Sequence, residues 1–385
     1  MINDLLGFYD FFAGGGMARL GLGPKWRCLM ANDICPKKAK AYRMNFFPAN
    51  ELILEDVAKL TLTALPGNPM LAWASFPCQD LSHAGNRNGL EAKRSGTFWP
   101  FWRLMEEKTR SGGAIPIIIL ENVVGALTSN KGRDLQAILE AFVQADYQIG
   151  LLVIDAVFFL PQSRPRLFFI AVRKNIKIPN ELTQAGPSNL WHPKHLQSAY
   201  NALPVHMKSA WLWWRLPLPK MKRPDLEDLI EDDPIGVRWH TPDETQYLLS
   251  LMSEVNLEKV SKAQSRGKRV VGTLYKRTRR NKEGEKKQRA EVRFDQISGC
   301  LRTSIGGSSR QTILIVKGES IKSRLLSTRE AARLMGVPDS FKLPDNYNEA
   351  YHLMGDGLAV PVVAWIERHI LHPLVRANLN ILEAA

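Results

Sequence analysis

Cys78 stands in Phe76-Pro77-Cys78-Gln79, directly after an apolar run over 70–76 that reads as a short buried strand. Pro77 has no N–H with which to continue a ladder, so the thiol falls just past the strand's carboxyl end. In open α/β sheets that edge is where ligands bind. A thiolate there can serve as a nucleophile. On spacing alone, a small buried cysteine filling a turn is an equal reading. A second reactive type follows the strong apolar run 115–120, which ends in Glu121-Asn122-Val123. Between two further strand candidates, 149–156 and 167–172, lies the cluster Gln162-Ser163-Arg164-Pro165-Arg166.

These side chains need a scaffold, and the first 150 residues read as one. The apolar stretch 5–12 runs into Ala13-Gly14-Gly15-Gly16 and a helix-like segment over 17–22. Strand, glycine turn and helix let a ligand approach bare backbone N–H groups. The dinucleotide fingerprint fails, because Arg19 occupies the place of its third glycine. A second strand over 27–31 ends at Asn32-Asp33, with Asp33 19 residues beyond Gly14. An acid at that distance can receive a ribose hydroxyl pair, or it can simply cap the helix predicted over 36–46. A short segment at 51–54 ends in Glu55-Asp56-Val57. Residues 82–97 are polar and glycine-bearing and read as a mobile loop; 98–107 and 133–145 read as helices. Strands alternating with helices, each strand ending in polar residues, predict an α/β fold with a doubly wound, mostly parallel sheet. The missing helix between 149–156 and 167–172 predicts an antiparallel hairpin at the sheet edge.

Composition sets outer limits. The chain has 385 residues, long enough for a large domain and a smaller one, and 45% are hydrophobic, enough for a full core. The formal charge of +14 favours a polyanionic partner. The four cysteines include no CxxC pair, which argues against a disulfide framework or a structural zinc site, so no metal is expected. No apolar run is long enough to span a bilayer and no secretory signal opens the chain. A cytoplasmic protein without membrane attachment is expected.

Taken in order, Phe12-Ala13-Gly14-Gly15-Gly16, Phe76-Pro77-Cys78-Gln79, Glu121-Asn122-Val123 and Gln162-Ser163-Arg164-Pro165-Arg166 resemble the motifs of cytosine-5 DNA methyltransferases of bacterial or phage type. Arg329-Glu330-Ala331-Ala332-Arg333-Leu334-Met335-Gly336-Val337-Pro338 looks like that family's ninth motif, and Gly355-Asp356-Gly357-Leu358-Ala359-Val360-Pro361 like its tenth. The resemblance implies methyl transfer from S-adenosylmethionine to carbon-5 of a flipped-out cytosine in duplex DNA. Cys78 would add to carbon-6, making carbon-5 nucleophilic. Glu121 would hold the ring nitrogen and share a proton with it, with burial favouring its protonated form. Arg166 would contact the target base and Arg164 would support it. Phe12, Gly14 and Gly16 would hold the methionine part and the adenine edge of the cofactor. Asp33 would take the ribose hydroxyls, Asp56 and Val57 the adenine, and Pro77 and Phe98 would line the same pocket. Gly-Asp-Gly-Leu replaces the family's usual Gly-Asn-Ser-Val, so contacts at Asp356 and Leu358 are expected through backbone.

By the same resemblance, residues 1–175 form the catalytic and cofactor-binding domain, 176–325 a smaller inserted target-recognition domain, and 326–385 a segment returning to the catalytic domain. Within the insert, 259–293 carries fourteen Lys or Arg against three Glu, a net of +11. Phosphate contact with strong salt dependence is expected there. Arg302, Arg310 and Gln311 have side chains suited to base edges. The expected partner is double-stranded DNA, bound by a monomer, either alone or beside a cognate restriction endonuclease in a restriction–modification or other defence system. Three rival readings remain at this level: a tRNA cytosine-5 methyltransferase, a non-catalytic DNA-binding relative, and a cysteine hydrolase. For the last, no motif-like histidine accompanies Cys78.

Overall fold

The computed structural model describes residues 6–77, 96–220, 222–280, 284–302 and 309–382. In chain order the first elements are β1 (Gly7–Phe11), α1 (Met17–Leu22), β2 (Arg27–Asp33), α2 (Pro36–Asn45), β3 (Leu52–Leu54), β4 (Leu71–Ala74), α3 (Phe98–Arg110), β5 (Ile117–Val123), α4 (Arg133–Gln144), β6 (Tyr147–Asp155) and β7 (Pro165–Arg173). The seven strands form one sheet in the order β3-β2-β1-β4-β5-β7-β6. The first five strands run parallel, whereas β7 is antiparallel to both β5 and β6. The predicted edge hairpin is therefore present, with β6 outermost. Every residue of β1 and β4 is buried, as expected where helices cover both faces of a parallel sheet.

Strand order reverses between β1 and β4, which pair with Phe11 opposite Ala74. The glycine turn after β1 and the Phe76-Pro77 segment after β4 thus leave the sheet side by side, at the switch point where such sheets bind ligands.

The chain divides into two compact units. The first comprises 1–155, 165–218 and 360–385; the second comprises 156–164 and 219–359. These boundaries correct those expected from the sequence. Residues 176–218 belong with the first unit, since β8 (Thr183–Gln184), α5 (Lys194–Asn201), α6 (Val205–Ser209) and β9 (Trp213–Trp214) fall within it and β9 lies against β6. A Cβ on Gly150 of β6 would stand 2.2 Å from the Leu212 carbonyl oxygen and 2.7 Å from the Trp214 ring. The tryptophans of this stretch serve that packing: Trp211 and Trp213 join the main core, and Trp214 is fully buried.

The second unit holds α7 (Leu226–Leu229), α8 (Pro242–Ser250), α9 (Glu254–Gln264), β10 (Val270–Arg280), β11 (Lys286–Arg293), β12 (Thr312–Lys317), β13 (Ser320–Leu325), α10 (Thr328–Leu334) and α11 (Tyr347–Asp356). Its four strands pair antiparallel in the order β11-β10-β12-β13. Residues 326–359 stay with this unit. Glu330 in α10 is fully buried, pairs with the equally buried Arg324 at 2.7 Å, and completes a capping box with Ser327. Breaking such a pair from one side costs about 3–5 kcal/mol, so the ninth-motif helix is tied to β13.

Only the last stretch returns to the first unit: α12 (Val360–Ile366), a π-type turn over Glu367–Leu371, and α13 (His372–Leu382). Helix α12 packs on α1, and the Trp26 indole donates to Glu367 at 3.2 Å. By length and hydropathy alone, 347–378 could cross a membrane. It is broken at Gly357, which ends α11, and its Leu353, Met354, Val363, Ile366 and Ile370 are buried within the protein.

Gly21 in α1 is where the returning segment fits. A Cβ there would meet the Val363 Cβ at 2.4 Å and the Val360 carbonyl oxygen at 2.9 Å. Gly21→Ala is predicted to cost about 1–3 kcal/mol through overpacking, despite the better helix propensity of alanine. Denaturant unfolding measures it; an unchanged or increased stability would show that α12 does not dock there.

Candidate active site

Glu121 lies near the carboxyl end of β5 and is 8% exposed. Its register partner on β7 is Phe168, so Arg166, two residues away, is its diagonal neighbour on the same face of the sheet. The Arg166 Nε sits 3.2 Å from Glu121 Oε1, with both side chains largely covered. The guanidinium thus stands beside the largely covered carboxyl as its counter-charge. The next residue, Asn122, donates from its side-chain amide to the Phe76 carbonyl at 3.4 Å and accepts from the Val123 N–H at 2.8 Å. This bond ties the carboxyl edge of β5 to the segment that leads into Cys78. Cys78 itself, and residues 79–95, which include the stretch read from the sequence as a loop, lie outside the described residues.

At the other side of the switch point, Phe12 has φ +59°, a rare conformation for a bulky residue, and Gly14 and Gly16 follow at +57° and +82°. Two left-handed residues bracketing Ala13 fold the turn back on itself, with Gly16 N–H donating to Ala13 O at 2.8 Å. Asp33 is buried at the end of β2. Its Oδ2 accepts from Gly14 N–H and its Oδ1 from Cys35 N–H, both at 2.8 Å. Asp33 does not cap the following helix, whose N-cap is Cys35 and has no side-chain cap bond; there it holds only the Cys35 N–H, and a carboxylate's four or so lone-pair sites leave room for further acceptance. Asn32 donates to the carbonyls of Ile53 (3.2 Å) and Glu55 (2.8 Å), holding the end of β3 beside β2. That places Asp56, which caps the short 3-10 turn Val57–Lys59 by accepting from Ala58 N–H. Val57 is buried, Pro77 is exposed, and Phe98 is fully buried with its ring centre 6.0 Å from that of Phe76.

The first unit therefore gathers Phe12, Gly14, Gly16, Asp33, Asp56, Val57, Pro77, Phe98, Glu121 and Arg166 at the carboxyl edge of one sheet. Arg164, Asp356 and Leu358 belong to the second unit. There the buried Arg164 donates to the carbonyls of Leu301 (3.1 Å), Gly355 (2.8 Å) and Gly357 (2.7 Å). Arg164 thus fixes the backbone on both sides of Asp356. Asp356 is exposed and Leu358 is buried.

One further expectation is corrected. Gln311 is fully buried and donates to the Leu274 carbonyl at 3.0 Å, so it is not placed to read a base edge. Arg310 lies over the Tyr347 ring at 5.4 Å and donates to the Asn348 side chain. Arg302 is exposed, and 303–308 lie outside the described residues.

Asp10 escaped the sequence reading. It is 1% exposed on β1, and among the described residues its Oδ2 has no hydrogen-bond partner. Burial pushes its carboxyl up to about 8, with Asp33 adding to the effect and Arg19 opposing it. The signal in the sequence is a lone acid inside an apolar strand. Arg19, which broke the fingerprint, stacks 4.3 Å over Phe46, donates to Tyr42 Oη at 2.8 Å and pairs with Glu51. It joins α1 to α2 and to the start of β3. A cleft of about 910 Å³ lined by Arg19, Trp26, Arg27, Phe46 and Glu51 opens at this opposite, amino edge and contains none of the candidate cofactor residues.

The turn fits the cofactor implied by the sequence. A Cβ at Gly14 would enter space with no atom of the described residues within 4 Å, and Asp33 keeps acceptor capacity beside it. Fold and edge geometry define an S-adenosylmethionine-dependent methyltransferase fold. Solved structures share it, among them the Entamoeba histolytica methyltransferase EhMeth (TM-score 0.64, 13% identity, 96% of this chain and 99% of that one). Dnmt2 of S. pombe is another (TM-score 0.56, 17% identity, the same coverage). Among relatives, the type II methyltransferase M.MspI of Moraxella is 25% identical over 382 residues, covering 96% of this chain and 72% of that protein. M.HhaI of Haemophilus parahaemolyticus is 26% identical over 367 residues, covering 95% and 94%. The family model for C-5 cytosine-specific DNA methylases matches residues 6–372. The chain belongs to that family and is a DNA (cytosine-5-)-methyltransferase.

Asp10 gives a pH prediction. A carboxyl raised in the folded state stabilises the fold fully below its unfolded value, and that stability is lost as pH rises toward about 8. Asp10→Asn should remove a downward slope of up to about 1.4 kcal/mol per pH unit between roughly pH 4 and 8. Denaturant unfolding at several pH values reads it. Parallel pH profiles of wild type and variant would contradict the assignment.

Proposed function

We propose that the chain methylates carbon-5 of a cytosine flipped out of a specific duplex DNA sequence, with Cys78 as the covalent nucleophile. The observation that carries this is the buried Glu121–Arg166 pair at the carboxyl edge of β5, bonded through Asn122 to the segment entering Cys78.

The Cys78 thiolate forms a bond to cytosine carbon-6, and the displaced ring electrons make carbon-5 nucleophilic. A cysteine thiol with an ordinary value near 8.5 is mostly protonated at neutral pH, so the site must favour the thiolate or accept its proton during attack. Glu121 holds the ring nitrogen and shares a proton with it, offsetting charge that builds as the thiolate adds. Arg166 orients Glu121 through their ion pair and contacts the base. Arg164 acts at one remove, fixing the carbonyls of Gly355 and Gly357. Phe12, Gly14 and Gly16, Asp33, Asp56 and Val57, Pro77 and Phe98, with Asp356 and Leu358, would hold S-adenosylmethionine. When bound, it supplies an electrophilic methyl group on a sulfonium sulfur. Loss of the carbon-5 proton and elimination of Cys78 then restore the aromatic ring and the free thiol.

The second unit, with its basic 259–293 segment, is read as the target-recognition part. A monomer acting on DNA in the cytoplasm, alone or beside a cognate restriction endonuclease, is the setting that fits.

Bisulfite sequencing of DNA from a methylation-free host expressing the protein tests this. Protected cytosines in one short context are expected, abolished in Cys78→Ala and reduced at least about a hundredfold in Glu121→Gln, on the scale of removing one transition-state interaction. Full protection in Cys78→Ala would overturn the mechanism. A soluble protein that binds S-adenosylmethionine but protects no cytosine would overturn the DNA reading and direct the assay to tRNA.

A further inference from the structure

The strands β10 and β11 pair over eight positions, from Thr273 opposite Arg293 to Arg280 opposite Lys286. The third strand, β12, accompanies β10 only from Val270 to Leu274. Among the described residues, the last anchor along β10 is Lys276 N–H donating to Ser309 Oγ at 2.9 Å. Beyond it the two strands continue as a ribbon through four register pairs, about 10–13 Å of strand.

Its composition is unusual for a ribbon. Three of those four pairs set cation against cation: Arg277 opposite Arg289, Arg279 opposite Lys287, and Arg280 opposite Lys286. The fourth is Thr278 opposite Gln288. Arg277, Arg280 and the whole of 286–289 are exposed. Like charges directly opposite one another destabilise a strand pair. Acids offset them in part: Glu291 pairs with Arg277 at 3.1 Å, and Glu285 directly precedes Lys286. Charging an edge strand against aggregation is the ordinary reason for exposed lysines. That reason applies to both strands here, since among the described residues β10 has no third strand beyond Leu274, but blunting an edge does not call for cations placed opposite one another in register.

Cations also fall on both faces. Arg277, Lys287 and Arg289 share one face by register, and Arg280 and Lys286 share the other. A ribbon lying flat along one polyanionic strand would use one face only. A two-stranded ribbon fits the major groove of DNA, about 12 Å wide, with phosphates on either side.

We propose that the ribbon formed by 276–280 and 286–289 is an arm that enters a groove of duplex DNA and grips the phosphates of both strands, supplying affinity rather than sequence choice. The inference rests on the DNA reading above and adds a location and a mode of contact within the basic segment. In the free protein the arm holds mutually repelling charges; on DNA each of them gains a counter-charge, releasing condensed cations.

The test is a quadruple variant, Arg280→Gln, Lys286→Gln, Lys287→Gln and Arg289→Gln, beside a control that exchanges Arg for Lys and Lys for Arg at the same positions. Binding to a duplex carrying the methylated context is followed by fluorescence anisotropy from 50 to 300 mM salt. For every phosphate that the protein no longer neutralises, the slope of log K against log salt falls by about 0.9. The glutamine variant is expected to lose about 2–4 from the slope and at least tenfold in affinity, while the control keeps the wild-type slope. The melting temperature of the glutamine variant at low salt should equal or exceed that of wild type, and its methylated context should be unchanged. A slope within about 0.5 of wild type would overturn the arm, and a changed context would overturn the claim that it leaves sequence alone. Either result leaves DNA methylation by the wild type standing. If wild type protects no cytosine, the DNA reading itself has failed.

Discussion

Strand register at the carboxyl edge is the constraint on which the rest of this structure depends. Strands β4 and β5 pair in parallel from Leu71–Ile117 to Ala74–Leu120, so the two chains leave the sheet level with each other. One goes on to Phe76, Pro77 and Cys78; the other continues at once into Glu121 and Asn122. The antiparallel β7 then runs back along β5 and delivers Arg166 diagonally across from Glu121. A slip of one residue in either pairing would turn Glu121 or Arg166 to the opposite face. The apolar runs 117–120 and 167–172, buried on both faces, resist such a slip because it would remake every packing interaction along β5 and β7. The polar edge is held in place by an apolar sheet.

The cofactor side obeys the same logic. Because β1 and β4 meet where strand order reverses, the glycine turn opens beside the Phe76-Pro77 segment. Asp33 reaches across from β2 to hold Gly14 N–H, and Asn32 reaches the other way to hold β3. Two adjacent residues at one strand end thus set both walls of the candidate pocket. The left-handed Phe12 stores backbone strain at the same place, and such strain persists only where surroundings over-determine it.

Much of this was legible in the sequence. The strands of the first unit are short apolar runs bounded by polar residues, and the structure places all of them within a few residues of where those runs begin and end. The glycine turn, Asp33, Asp56 and Glu121 were legible because each follows such a run directly. What failed depended on partners far along the chain. The aromatic stretch 176–218 looks like a separate small domain until Gly150 is seen to leave room for Leu212 and Trp214. Residues 326–359 look like part of the returning tail until the buried Arg324–Glu330 pair holds them to β13. Gln311 has the chemistry to read a base, yet its amide completes hydrogen bonds inside the four-stranded sheet. Arg19 reads as a broken fingerprint and turns out to be a strut between α1, α2 and β3. Side-chain type states what a residue can do; only the fold states what it is already doing.

The central claim, that Cys78 forms a covalent bond to carbon-6 of the target cytosine, is tested most directly with duplex DNA carrying 5-fluorocytosine at the methylated position. Fluorine at carbon-5 cannot leave as a proton does, so the adduct should persist after methyl transfer. A one-to-one protein–DNA complex that survives denaturant, requires S-adenosylmethionine and is absent from Cys78→Ser is the result this account predicts. Efficient methylation of ordinary cytosine with no trapped complex, or an undiminished complex with Cys78→Ser, would contradict it.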